Sequence, residues 1–161
     1  MTEPQDPGPR SDEASLRIEA TPEAVYAIVT DIAQMGRLSP ECTGGQWLGD
    51  ATGPAVGARF KGSNKRGRAR WSTTNTVVEA EPGRVFSFET AQSGARWTYR
   101  MEPDGGGTLV TESRGMFKDR PLLAKIYATL VLGGIEDHDD EMRDGLRQTL
   151  ERLKAVAESP P

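Results

Sequence analysis

Few side chains in this sequence are suited to chemistry. It has one histidine and one cysteine, and no nucleophile-elbow pattern that would present a catalytic serine. Two polar groups stand out because they keep step with aromatics. Asn75 follows Trp71 and Thr73 at two-residue intervals, and Tyr99 follows Trp97. On a β-strand such spacing places side chains on one face. A buried amide needs hydrogen-bond partners, whether protein groups or a ligand carbonyl. A phenol in the same setting can donate to a ligand oxygen. It can polarise a ketone or steady an enolate while a cavity folds a flexible chain into reacting geometry. Asn75 and Tyr99 are therefore the candidate catalytic residues, with core hydrogen bonding as the plainer role for each.

Three other groups attract a chemical reading. In 108–115, Glu112 and Arg114 alternate against Thr111 and Ser113. An inward Glu112 would be a base of raised pKa; the expectation is an outward, ordinary surface charge. Asp137-His138-Asp139-Asp140-Glu141 gathers the one histidine with four carboxylates. They are contiguous rather than spaced to converge, and acids at a helix start oppose the positive end of its dipole. No metal and no cofactor is expected. Arg59, Lys61, Lys65, Arg66, Arg68 and Arg70 form a basic patch around one hairpin. It is read as a solvated outer face, with an anionic partner as the alternative.

The elements that must carry these residues follow from periodicity. Ala14–Ala20 alternates as a strand. Thr21-Pro22-Glu23 then has the cap, proline and acid of a helix start, and Val25, Ile28, Val29 and Ile32 form its stripe. Asp31 breaks it and opens a second short turn through Met35. Strands are expected over 44–49, 58–63, 68–79, 85–90, 96–102 and 108–115, with turns at Asn64-Lys65-Arg66-Gly67, Pro82-Gly83 and Pro103–Gly107. Short connections make an antiparallel meander the simplest sheet. Seven of the ten aromatics fall between Trp47 and Tyr99, so one face carries large rings and must be covered. The cover is the segment 137–158, where Met142, Leu146, Leu150, Leu153, Val156 and Ala157 step by three and four. Ahead of it, 119–135 is apolar and ends in Gly133-Gly134, either a buried helix or a lid over a pocket mouth.

At 161 residues the chain suits one domain. Residues 1–12 and 159–161 are expected to be disordered tails around a single domain at 13–158. A net charge of −4 argues against a general nucleic-acid binder. The lone Cys42 precludes an intrachain disulfide and fits a cytoplasmic protein. The N-terminal stretch has no apolar core, and no apolar run is long enough for membrane insertion.

In this order the elements resemble the helix-grip fold of the START-like, or SRPBCC, superfamily. The residues carrying the resemblance are Ile18-Glu-Ala-Thr-Pro-Glu-Ala-Val25, Asp31 with Leu38-Ser39-Pro40-Glu41, and Gly53-Pro54-x-x-Gly57-Ala-x-Phe60-x-Gly62. Trp71-Ser-Thr73, Glu81-Pro82-Gly83-Arg84-x-Phe86-x-Phe88 and Trp97-x-Tyr99 continue it. They cover about 14–157 and are similar to polyketide cyclase or dehydrase members; Leu38 departs from a frequent aromatic. The resemblance implies an α+β fold, with an antiparallel sheet of six or seven strands curved around the long C-terminal helix and two short helices after the first strand. It also implies a cavity between sheet and helix. The expected lining is Phe60, Trp71, Thr73, Asn75, Phe86, Phe88, Trp97, Tyr99, Met101, Met116 and Met142, with simple core filling as the alternative for each ring. Three functions follow as expectations. The first is binding of a small hydrophobic molecule such as a lipid or polyketide-like compound. The second is a cyclase, aromatase or dehydrase acting on one by acid–base catalysis. The third is an interaction module without a ligand. Neither the ligand nor the oligomeric state is specified by the sequence.

Overall fold

A computed structural model of the chain describes residues 12–117 and 135–159, with side chains in the last helix from residue 144 onward. The alternating runs become seven strands: β1 (Asp12–Ile18), β2 (Cys42–Trp47), β3 (Arg59–Arg66), β4 (Ala69–Glu81), β5 (Val85–Thr90), β6 (Ala95–Asp104) and β7 (Gly107–Met116). They form one sheet in the order β1-β7-β6-β5-β4-β3-β2, antiparallel throughout. The meander from β2 to β7 is as expected, and β1 completes the sheet by pairing with the last strand.

Local chemistry sets the ends of these elements. Thr21 accepts a hydrogen bond from the Ala24 amide through Oγ1 at 3.2 Å, and Pro22 opens helix α1 (Pro22–Val29). A 3₁₀ turn follows over Ile32–Arg37. Gly83, at φ +73°, takes the left-handed position after Pro82 that the β4–β5 turn requires. Two boundaries differ from the sequence reading. β1 begins at Asp12, because it pairs with β7 as far as Asp12↔Arg114. The β3–β4 turn sits at Gly67-Arg68 rather than at Asn64–Gly67, because Lys65↔Arg70 and Arg66↔Ala69 still pair.

The long helix α2 (Ile135–Glu158) buries Leu146, Leu150 and Leu153 and packs on β1, β7 and α1. Those leucines join Ile18, Val25, Val29, Phe60, Phe86, Met101 and Val110 in the core. Met142 lies within α2, but its side chain is outside the described residues, as are those of Asp137–Glu141. The segment read as a buried helix or lid, 119–135, lies outside them too, save for the backbone of Ile135.

The curved sheet over α2, with α1 and the 3₁₀ turn beside it, is the helix-grip arrangement. Register assigns the inner face. β4 contributes Trp71, Thr73, Asn75 and Val77, and β5 Phe86, Phe88 and Thr90. β6 contributes Ala95, Trp97, Tyr99 and Met101. A bulge between Val77 and Glu79 shifts the phase of β4 and returns Ala80 to the inner face opposite Phe86. Glu112 corrects the sequence expectation. It pairs with Tyr99 on one side and Ala14 on the other, so it points inward, and it is 2% exposed.

Candidate functional site

The inner face is apolar at its centre. Phe60 stands edge-on to Trp47 and to Phe88, with ring centroids 5.5 and 5.0 Å apart, and Phe86 meets Phe88 at 5.6 Å. Phe60, Phe86, Phe88, Tyr99 and Met101 are buried, and Trp97 packs against them. Trp71, Thr73 and Met116 share the face and are half-buried toward the end of the sheet where the β3–β4 hairpin lies. The expected lining residues with described side chains therefore converge on one surface.

Two polar clusters interrupt this surface. In the first, Asn75 bridges three strands. Its Nδ2 donates to the Phe60 carbonyl at 3.4 Å and to Thr73 Oγ1 at 3.2 Å, and its Oδ1 accepts from Thr90 Oγ1 at 2.7 Å. The amide is satisfied by protein groups, as a buried polar group must be. Gly62 lies across from Thr73 in register, and a Cβ there would sit 2.8 Å from Thr73 Oγ1. The absent side chain makes room for the cluster.

The second cluster centres on Tyr99 and Glu112. The phenol hydroxyl donates to the carboxylate, which raises the pKa of Tyr99 and lowers that of Glu112. Burial opposes this at Glu112 and dominates. Desolvation disfavours the charged form and pushes the carboxyl up to about 8. Desolvation is also the main reason that Tyr99 lies well above the usual phenol value, with the charges of Glu112 and the Cys42 thiol adding to it. Glu112 Oε2 has no hydrogen-bond partner among the described residues. One pairing step along the same face, Arg114 opposes Trp97 and Asp12, and its Nη2 lies 3.0 Å from Asp12 Oδ2.

A cleft of about 200 Å³ opens between β1 and α2, lined by Asp12, Glu13, Ala14, Asp144, Leu146 and Arg147. Ala14 is the register partner of Glu112, so the cleft reaches the strand pair that carries the carboxyl.

The arrangement offers a protonated carboxyl and a phenol side by side on an apolar face near neutral pH. Together they can donate to, or exchange a proton with, an oxygen of a bound molecule. Sequence reasoning placed Tyr99 on this face but not Glu112. The signal available was the pairing of β7 with β6, whose aromatic phase then fixes Glu112 as inward. No group of three metal-ligating side chains converges among the described residues, and no described helix is long and apolar enough to cross a membrane.

Residues 11–158 match the family described as polyketide cyclase / dehydrase and lipid transport. The solution structure of the Polyketide-cyc-like protein Cgl2372 from Corynebacterium glutamicum is 30% identical, with a TM-score of 0.59 over 95% of this chain and 92% of that one. Two more distant structures share the fold. The di-domain ARO/CYC StfQ from the steffimycin biosynthetic pathway is 13% identical, with a TM-score of 0.70 over 92% of this chain and 50% of that one. Ara h 8.0201 is 10% identical, with a TM-score of 0.67 over 95% of this chain and 100% of that one. No protein of curated function matches the sequence.

Proposed function

Because the chain belongs to the polyketide cyclase / dehydrase and lipid transport family, we propose that it binds a small hydrophobic molecule bearing a carbonyl or hydroxyl oxygen. The ligand lies between the inner face of the sheet and α2, and its oxygen meets Glu112 and Tyr99. The observation that carries this reading is the buried Glu112 carboxyl, whose Oε2 has no hydrogen-bond partner among the described residues. A buried polar atom left without a partner costs roughly 1–3 kcal/mol, and a ligand oxygen returns a hydrogen bond to it. The surrounding rings of Trp97, Phe86 and Phe88 supply the apolar walls such sites require. The test is displacement of an environment-sensitive apolar dye by long-chain fatty alcohols, ketones and alkanes of equal length. The oxygenated compounds should bind more tightly than the alkane, and Glu112→Leu should remove that preference. Failure of every compound to bind would end the proposal.

A second reading, catalysis, is favoured by the placement of the buried Glu112 carboxyl opposite the Tyr99 phenol, with burial raising the carboxyl to about 8. In it the carboxylate form of Glu112 takes a proton from the carbon between two ketones of a poly-β-ketone. The Tyr99 hydroxyl donates to the enolate oxygen that forms. The enolate carbon then attacks a second carbonyl carbon, closing a carbon–carbon bond, and the resulting alkoxide takes back the proton from Glu112. Under this reading Glu112→Gln stops ring closure while ligand binding persists. An unchanged product profile for that variant would rule it out.

A further inference from the structure

The β3–β4 hairpin reaches beyond its neighbours. β5 pairs with β4 only from Asn75↔Thr90 onward, and β2 ends opposite Asn64. The base of the hairpin is held by the Lys65 amide on the Glu41 carbonyl at 2.9 Å and by the Thr74 amide on Gln92 Oε1, also at 2.9 Å. What projects is a two-stranded ribbon turning at Gly67-Arg68. Its outer face presents Lys65 from β3 and Arg70 from β4, with Arg68 at the tip, and Lys61 and Arg59 continue the row below its base into the body of the sheet; all five are exposed. Lys65 and Arg70 oppose each other directly, an arrangement that costs stability. Between them and around them stand Ser63, Ser72, Thr74 and Thr76, with no carboxylate on this face of the two strands from Arg59 to Thr76. None of these five cations makes an ion pair among the described residues. The concentration arises in a chain whose net charge is −4.

We propose that this ribbon is a docking finger for an anionic bilayer surface. Its face lacks the apolar centre typical of a protein interface. The acidic remainder of the molecule opposes lying along a nucleic acid, whereas a planar surface touched at one end meets the cations alone. Phe117, 38% exposed, lies at the same end of the sheet, its amide bonded to the Gly94 carbonyl at 2.9 Å. The half-buried Trp71 and Met116 of the inner face also lie toward this end, so docking brings the ligand face close to a source of hydrophobic molecules.

The test is co-sedimentation of the full chain with phosphatidylcholine vesicles, with and without phosphatidylglycerol, at low and high salt. Binding is expected only with the anionic lipid and is lost at high salt. A basic residue near such a surface contributes about fivefold in partitioning, so Lys65→Gln/Arg68→Gln/Arg70→Gln should weaken binding by about a hundredfold. The variant's circular dichroism and unfolding midpoint check that it folds. Should the triple variant misfold, Arg68→Gln alone, at the turn, is expected to lose about fivefold. Absence of binding to anionic vesicles, equal binding to neutral ones, or unchanged binding by a folded variant overturns the proposal. So does displacement from vesicles by stoichiometric duplex DNA or polyglutamate, which would assign the finger to a nucleic acid or to an acidic protein instead.

Discussion

Tyr99 and Glu112 oppose each other in register on β6 and β7, and the phenol of one donates to the carboxylate of the other in the buried core. The pair is asymmetric. Tyr99 helps the charged form of Glu112, while burial works against it more strongly.

The first consequence is a stability that falls with rising pH. The Glu112 carboxyl titrates near 4.5 when unfolded and near 8 when folded. Between those values the native state keeps a proton that the unfolded state has released. The stabilising contribution is full below pH 4.5, declines as pH rises and is lost above about 8. The span corresponds to roughly 5 kcal/mol. Urea midpoints of wild type and Glu112→Gln across this range should diverge, with the variant flatter and the more stable of the two at alkaline pH. Parallel curves would show that Glu112 ionises as freely in the fold as in the open chain.

Replacing the phenol acts on the same titration from the other side. Tyr99→Phe removes the donor that favours the carboxylate, so the Glu112 pKa should move further up. The lost hydrogen bond costs about 1 kcal/mol at neutral pH. Carbon-detected NMR of the side-chain carboxyl reads the shift directly. A downward move would mean that the phenol opposes ionisation.

Asn75→Ala strikes the other polar cluster. It leaves the Thr90 hydroxyl without its acceptor and the Phe60 carbonyl and Thr73 hydroxyl without their donor. The expected loss is roughly 2–4 kcal/mol by chemical denaturation. Thr90→Val should cost less, and the two losses should be sub-additive because they share the 2.7 Å bond. Strict additivity would argue against a coupled network. Asn75 was a catalytic candidate from its spacing alone. Its filled hydrogen bonds assign it, in the function proposed here, to holding β3, β4 and β5 in register.

How much of this was legible in sequence differs by element. Phe86 and Phe88 alternate with Ser87 and Glu89 between clear turns, and β5 has the span expected. Leu146, Leu150 and Leu153 identified the buried stripe of α2 by their spacing. Glu112 was misread because Leu109 and Val110 are adjacent, so either phase of β7 has apolar support until pairing with Tyr99 decides. The hairpin turn slipped toward Gly67-Arg68 because Lys65 and Arg70 pair despite their like charge, against what cross-strand electrostatics favours. The partners of Asn75 come from three strands, and no local pattern reports them.

Two glycines test whether the site depends on strand separation. A Cβ on Gly62 would lie 2.8 Å from Thr73 Oγ1 and 3.3 Å from Asn75 Nδ2. Both are side-chain atoms, and Thr73 can rotate away at the loss of its bond from Asn75. A Cβ on Gly107 would lie 2.5 Å from the Ile18 backbone carbonyl oxygen, and no rotamer relieves that. β1 and β7 must part, and β1 carries Ala14 against Glu112. Neither glycine has a positive φ, so the backbone accepts alanine at both and contact alone sets the cost. Gly62→Ala should therefore lose about 1 kcal/mol and Gly107→Ala toward 3 kcal/mol, the upper end for overpacking. Gly107→Ala should also shift the Glu112 titration downward, because a parted β1 admits water to the carboxyl and lessens its desolvation. Equal costs, or a Glu112 titration unmoved by Gly107→Ala, would show that the carboxyl is buried independently of the β1–β7 contact.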